Sequence, residues 1–89
     1  MIECELEIIN KLGMHARAAA KFVTLASRFK ADIQISLNDS KVNGKSIMGV
    51  MMLAAAQGSQ VCLHIEGPDE VDAAEQLASL IKNRFDEAS

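Results

Sequence analysis

Three segments of the chain alternate between apolar and polar residues, which is the period of a strand with one buried face. In the first, from Ile2 to Ile8, four apolar side chains point one way and three glutamates the other. The alternation recurs from Asp32 to Leu37 and from Gln60 to Glu66. A shorter strand around Lys41 to Asn43 is predicted to pair with the second through a turn at Asn38-Asp39. A chain with this pattern has to bury one face of a small sheet.

Between the strands, the apolar residues recur at helical spacing. A first helix is predicted from about Ala16 to Ser27, a middle helix from about Ile47 to Ala55, and a third after Pro68-Asp69. The inward-facing residues of the middle helix are predicted to be Ile47, Val50, Leu53 and Ala54. Those of the third helix are predicted to be Ala74, Leu77, Ala78, Ile81 and Phe85.

The predicted order of elements is therefore β-α-β-β-α-β-α. Each strand is apolar on one face, and three helices are available to cover that face. We expect an α+β fold, an open-faced β-sandwich in which a four-stranded antiparallel sheet carries three helices on one side. With 89 residues the chain is too short for two cores, so we expect one domain over residues 1–89.

The composition disfavours several classes of function. Nine Lys and Arg against twelve Asp and Glu give a net charge of −3, and there is no Trp or Tyr, so a nucleic-acid surface is not expected. The chain has no apolar run long enough to insert into a membrane, and no signal peptide is visible after Met1. We therefore expect a cytoplasmic protein.

The two cysteines and the second histidine carry no recognisable motif. By alternation, Cys4 faces the helices, while Cys62 lies with His64 on the opposite face of its strand. Because the two thiols point to different sides of the sheet, neither a disulfide nor a four-ligand zinc site is expected. His64 is predicted to be a solvated strand residue.

One histidine lies where a loop becomes a helix. The segment Asn10 to Ala20 places His15 just before the first helix, and Gly13 gives the loop freedom to aim the ring outward. Unpaired N–H groups at a helix start favour a bound anion, so Ala16 and Arg17 are candidates to hold a phosphate on the ring. The residues alone also allow a plainer interpretation, a polar residue near a helix start beside a solvated arginine.

The segment Ile9 to Ala19 resembles the active-site segment of HPr, the histidine-containing phosphocarrier of the bacterial phosphoenolpyruvate-dependent phosphotransferase system. The segment Val42 to Met51, the length and the order of elements resemble the same family. The resemblance implies that enzyme I phosphorylates His15 on Nδ1, that Arg17 stabilises the phosphate, and that the group passes to an enzyme IIA. It implies a carrier rather than an enzyme, with neither a cofactor nor a metal, and we expect a monomer.

One position inside the motif departs from the family. Many members have proline directly after the arginine, whereas this chain has Ala18. Proline would stiffen the first helical turn, where its missing N–H costs little. Alanine is a good helix former, so we expect altered local rigidity and an intact phosphorylation site.

Ser46 is predicted to cap the middle helix, a structural role that would suffice to explain it. In the HPr family, the serine in a matching Asn-Gly-Lys-Ser-Ile-Met context is the target of HPr kinase/phosphorylase, and this chain keeps that context. The resemblance therefore also implies a regulatory phosphorylation site at Ser46.

The methionines of the middle helix suggest a contact surface. Met52 is predicted to be partly in the core, whereas Met48 and Met51, on either side of Gly49, form a pliable apolar patch. The resemblance implies that this helix and the exposed face of the first one contact enzyme I and enzyme IIA. The predicted docking residues are Ala20, Thr24, Ser27, Ile47, Met48, Gly49 and Met51.

Two alternatives stay open. The first is a carrier of a regulatory or nitrogen-linked phosphotransferase system without sugar transport. The second belongs to another class, a small ligand-binding or RNA-binding α+β module, which the acidic balance and the scarcity of aromatic residues disfavour.

Overall fold

The computed structural model describes residues 1–88. In chain order the elements are β1 (Ile2–Glu7), α1 (Ala16–Ala26), β2 (Asp32–Leu37), β3 (Ser40–Asn43), α2 (Ile47–Met52), β4 (Gln60–Glu66), α3 (Glu70–Lys82) and a 3-10 turn (Arg84–Asp86). The predicted order of strands and helices is confirmed. Within residues 1–88, no helix combines the length and the apolar character needed to cross a bilayer.

The four strands form a single antiparallel sheet in the order β1-β4-β2-β3. Strand β4 therefore lies between β1 and β2, with Cys4 opposite Leu63 on one side and Ile35 opposite Leu63 on the other. The three helices pack on the apolar face, so the predicted open-faced sandwich is confirmed. The opposite face, which carries His64 and the acidic residues of β1, is not covered by helices.

The core lies between the sheet and the helices and consists of the apolar half of each alternating strand and one stripe of each helix. Its largest fully buried side chains are Phe22, Phe85, Ile8, Ile33, Ile35, Leu63, Ile65, Leu77, Ile81, Val50 and Val61. Burial of this apolar surface is the main force that holds the sheet and helices together.

Helix α2 is shorter than predicted. It ends at Met52 because Leu53 caps it and Ala54 adopts a left-handed backbone with φ of 52°. Val50 and Leu53 are buried as predicted, but Ala54 is exposed and Ile47 is 41% exposed, so the predicted inward stripe is wrong at both ends. The prediction that Met52 lies partly in the core is also wrong, because its side chain is 77% exposed.

The chain leaves α3 through an unusual turn. Helix α3 ends at Lys82, and Phe85 reaches the core from the following turn rather than from the helix. Arg84, Phe85 and Asp86 all have positive φ, a conformation that costs an L-residue about 1–2 kcal/mol. Complete burial of the Phe85 ring offsets part of that cost and fixes the direction of the residues that follow.

Candidate functional site

His15 is the N-cap residue of α1. Its backbone is extended, with φ of −76° and ψ of 179°, and its Nδ1 accepts a hydrogen bond from the Arg17 backbone N–H at 3.3 Å. The imidazole is therefore held against the positive end of the helix, as an N-cap side chain is. Its side chain is 26% exposed, so the ring remains accessible.

A close approach between two loops positions the His15 segment. The Met14 backbone N–H donates to the Ala55 carbonyl at 2.8 Å. Gly13 has φ of 67°, and a Cβ there would lie 2.6 Å from the Ala55 oxygen. Only glycine fits this backbone without strain, which gives a specific reason for the glycine two residues before the histidine.

The other ring nitrogen of His15 faces a carboxylate from the C-terminal segment. Nε2 of His15 contacts Oε2 of Glu87, whose side chain is 13% exposed. Oε1 of Glu87 accepts from the side-chain amide of Asn10 at 2.9 Å. The same Asn10 amide nitrogen donates to the Gly13 carbonyl at 2.8 Å, so Asn10 joins the histidine loop to the C-terminal segment.

These contacts determine which ring nitrogen of His15 carries the proton. The Asn10 amide, followed by His15, lowers the pKa of the Glu87 carboxyl below its ordinary value. An ionised carboxylate only accepts hydrogen bonds, so Nε2 of His15 carries the ring proton. In a neutral ring, this leaves a lone pair on Nδ1, the nitrogen beside the start of α1. The arrangement can attack an electrophile through Nδ1 and hold an anionic product at the helix start.

The C-terminal segment is fixed by contacts with α1. Nζ of Lys21 donates to the Phe85 carbonyl at 2.8 Å and lies 3.9 Å from the Asp86 carboxylate. Together with the buried Phe85 ring, these contacts place Glu87 next to His15.

Arg17 lies on the exposed side of α1, between two surface clefts. One cleft of about 320 Å³ is lined by Leu12, Arg17, Lys21, Asp86, Glu87 and Ala88. A groove of about 420 Å³ runs along α1 and brings together Arg17 and two predicted docking residues, Ala20 and Thr24. The groove is also lined by Lys21, Arg28 and Asp86, so its basic residues outnumber the acidic one and favour an acidic partner.

Ser46 caps α2 as predicted. Its Oγ accepts from the Gly49 backbone N–H at 3.1 Å, and its own N–H donates to the Asn43 carbonyl at 3.1 Å. The hydroxyl is partly accessible because the residue is half-buried. Ser46 thus lies at the start of a different helix from His15.

The remaining predicted docking residues lie at the surface. Met48 is 68% exposed, Met51 40% exposed and Ile47 41% exposed, while Gly49 is half-buried and Ser27 is exposed. Exposure of Met48 and Met51 agrees with a contact patch on α2, and the exposure of Ile47 adds to it.

Two residues of the His15 site and one cluster elsewhere were not predicted from the sequence. Asn10 lies in the recognised segment without an assigned role, and Glu87 gives no local signal. The prediction that His64 is a solvated residue is wrong, because its side chain is only 15% exposed and both ring nitrogens have partners, Ser36 and Glu3. The register that places His64 opposite Glu3 could have indicated the contact between these two side chains.

Comparison with known proteins places the whole chain among phosphocarriers. The family model for the PTS HPr component phosphorylation site matches residues 2–83. The phosphocarrier protein HPr of Neisseria meningitidis is 53% identical over 87 residues, 98% of each chain, and that of Pseudomonas aeruginosa is 56% identical over 84 residues, 93% of each chain. The crystal structure of HPr-C-His from Thermoanaerobacter tengcongensis superposes with a TM-score of 0.96 at 47% identity, covering 100% of both chains.

Proposed function

Since this chain belongs to the HPr family of phosphocarrier proteins of the phosphotransferase system, we propose that it accepts a phosphoryl group from phospho-enzyme I on His15 and passes it to an enzyme IIA. The observation that carries this proposal is that the two ring nitrogens of His15 have different hydrogen-bond partners. Glu87 holds the proton on Nε2, and Nδ1 keeps its lone pair at the start of α1.

In the proposed transfer, Nδ1 attacks the phosphorus atom of the phosphorylated donor. A nitrogen–phosphorus bond forms as the bond from phosphorus to the donor atom of enzyme I breaks, and the reverse exchange on enzyme IIA restores free His15. The phosphoryl oxygens would accept hydrogen bonds from the first N–H groups of α1 and from the Arg17 guanidinium. The nearby carboxylate of Glu87 balances positive charge on the ring.

The partner enzymes supply the rest of the chemistry, so the protein acts as a carrier. All residues of the proposed site come from one chain, and a monomer of residues 1–89 suffices for the role. We place this activity in the cytoplasm, together with enzyme I and enzyme IIA.

We further propose that HPr kinase/phosphorylase phosphorylates Ser46. The residue is half-buried at the start of α2, where a phosphate adds about −1.5 to −2 charges beside the exposed methionines. Negative charge near a helix start is tolerated by the fold. At the docking surface it would disfavour an acidic partner such as enzyme I and favour a different, regulatory partner.

The decisive test is incubation with phosphoenolpyruvate and enzyme I, followed by intact-protein mass measurement. We expect an acid-labile gain of one phosphate that is absent in His15→Ala and kept in His64→Gln, which removes the other histidine. No gain in the unmodified protein, or a gain that survives His15→Ala, contradicts the carrier proposal. Adding ATP and HPr kinase should give a separate, acid-stable gain that is lost in Ser46→Ala.

A further inference from the structure

A row of three hydrogen-bonded side chains crosses the uncovered face of the sheet, on the side opposite the helices. Oγ of Ser36 on β2 lies 2.9 Å from Nε2 of His64 on β4, and Nδ1 of His64 lies 3.1 Å from Oε2 of Glu3 on β1. Because β4 lies between β1 and β2, a single imidazole ring reaches both neighbouring strands. The order hydroxyl, imidazole, carboxylate is the arrangement that activates a serine in acyl-transfer enzymes.

The hydrogen-bonding capacities of the three groups fix the direction of each bond. An ionised Glu3 carboxylate only accepts, so Nδ1 of His64 carries the proton of a neutral ring. Nε2 is then an acceptor, and the Ser36 hydroxyl donates to it. The His64 side chain is only 15% exposed, although that of Glu3 is 61% exposed, and bonds on both sides of the ring hold it in this orientation. His64 is thereby positioned as a general base for the Ser36 hydroxyl.

Ser36 has one thiol-bearing and one charged neighbour on the same face of the sheet. Ser36 is half-buried, and its antiparallel partners are Cys62 on β4 and Lys41 on β3. Directly opposite residues in such a pair have Cβ atoms about 4.5–5.5 Å apart, so the exposed Lys41 ammonium can approach a negative oxygen that develops next to Ser36.

We propose that Ser36 is an acyl-acceptor site for activated acyl donors, meaning small esters or thioesters. Oγ attacks the carbonyl carbon while its proton passes to Nε2 of His64. The new oxygen–carbon bond forms, the bond from that carbon to the leaving alcohol or thiol breaks, and His64 returns the proton to the leaving group. The product is O-acyl-Ser36. His64 is the general base, and Glu3 is a positioning residue that selects the tautomer of the ring. This chemistry is independent of phosphoryl transfer at His15.

The test uses p-nitrophenyl acetate as the acyl donor and the full chain carrying His15→Ala, which removes the other histidine nucleophile. Peptide mapping by mass spectrometry measures acetylation of Ser36 and of Ser40, an exposed serine on β3 that serves as an internal control. We expect Ser36 to be acetylated at least tenfold faster than Ser40, since general-base assistance contributes about 10²-fold or more. Equal labelling of the two serines overturns the proposal.

Three further variants separate the roles within the row. His64→Gln should reduce Ser36 labelling to the Ser40 rate. Glu3→Gln should slow it about tenfold, because the amide can donate to Nδ1 and favour the wrong tautomer, whereas Glu3→Asp keeps an acceptor and should restore most of the rate. Ser36 labelling that is unchanged in His64→Gln, or acetyl that remains on His64 without moving to Ser36, contradicts the assignment. The ratio of Ser36 to Ser40 acetylation in the His15→Ala protein tests the proposal even if one of these variants does not fold.

Discussion

The carboxylate of Glu87 contacts Nε2 of His15, although 72 positions separate the two residues in the chain. The contact depends on two supports. The Asn10 amide holds the other carboxylate oxygen, and the buried Phe85 ring fixes the turn from which Glu87 emerges. In this protein the C-terminal segment is therefore part of the histidine site, and it selects which ring nitrogen carries the proton.

Replacing Glu87 by glutamine should slow phosphorylation of His15 by enzyme I. The amide is isosteric but can donate as well as accept, so the proton is no longer confined to Nε2. We expect the rate to fall by about threefold to tenfold in a rapid-quench assay with limiting enzyme I. The matched control is Glu75→Gln, on the exposed side of α3, which should leave the rate unchanged. An unaltered rate in Glu87→Gln would show that the contact does not serve transfer.

Truncating the Phe85 ring should loosen the C-terminal segment. The side chain is completely buried, so Phe85→Ala should lower the free energy of unfolding by about 3–5 kcal/mol, measured by urea denaturation. It should also slow phosphorylation of His15, because Glu87 loses its fixed position. Phe85→Leu keeps most of the apolar volume, so it should reduce the free energy of unfolding and the rate of His15 phosphorylation by less. A loss below about 1 kcal/mol in Phe85→Ala would contradict the role of the ring as an anchor.

The strands and α1 could be predicted almost to the residue, but the end of α2 could not. Strict alternation sets the bounds of β2 and β4, because a shift of one residue would turn every buried side chain to water. No such constraint acts on the alanines after Met52, which have high helix propensity. There the left-handed conformation of Ala54 ends α2 and turns Ala55 into the core, a result of tertiary packing.

The histidine site could be predicted only where its signals are local. The loop-to-helix position of His15 and the cap at Ser46 are visible in a few neighbouring residues. Glu87 reaches His15 through three consecutive residues with positive φ, none of them glycine, and no sequence rule favours such a turn. The cluster around His64 was missed because it joins three strands, and its contacts depend on the order β1-β4-β2.

Two substitutions at Ser46 should distinguish its role as a helix cap from its proposed role as an inhibitory phosphorylation site. Ser46→Ala removes the hydrogen bond to the Gly49 N–H and should lower the free energy of unfolding by about 1 kcal/mol, while His15 is still phosphorylated at the unmodified rate. Ser46→Asp keeps an N-cap acceptor but adds negative charge at the docking surface, so enzyme I should act on it about tenfold more slowly. Equal rates for the two variants would refute the inhibitory role.

Met48 and Met52 offer a matched test of the docking surface. Both methionines are exposed on the same short helix, but only Met48 belongs to the predicted docking set. Met48→Ala should weaken binding to enzyme I about fivefold in calorimetric titration, and Met52→Ala should change it less. Each should alter the free energy of unfolding by no more than about 0.5 kcal/mol. Equal losses of affinity would extend the contact surface to the end of α2 and contradict the predicted boundary.

Asp69 should make the stability of the fold depend on pH. Asp69 precedes α3, but its side chain makes no capping hydrogen bond to that helix and instead accepts from the backbone N–H groups of Lys30 and Ala31, each at 2.8 Å. The bond from the Lys30 N–H, followed by that from Ala31, lowers the pKa of the Asp69 carboxyl.

Because the folded-state pKa of Asp69 lies below its unfolded value of about 3.9, this stabilisation is complete above that pH. It is lost as the pH falls through the lower folded value, where the carboxylate takes up a proton. Asp69→Asn should therefore lower the urea midpoint at neutral pH, and the difference from the unmodified protein should shrink as the pH falls toward about 3. A difference that stays constant over this range would mean that the ionised carboxylate does not stabilise the link between α3 and the start of β2.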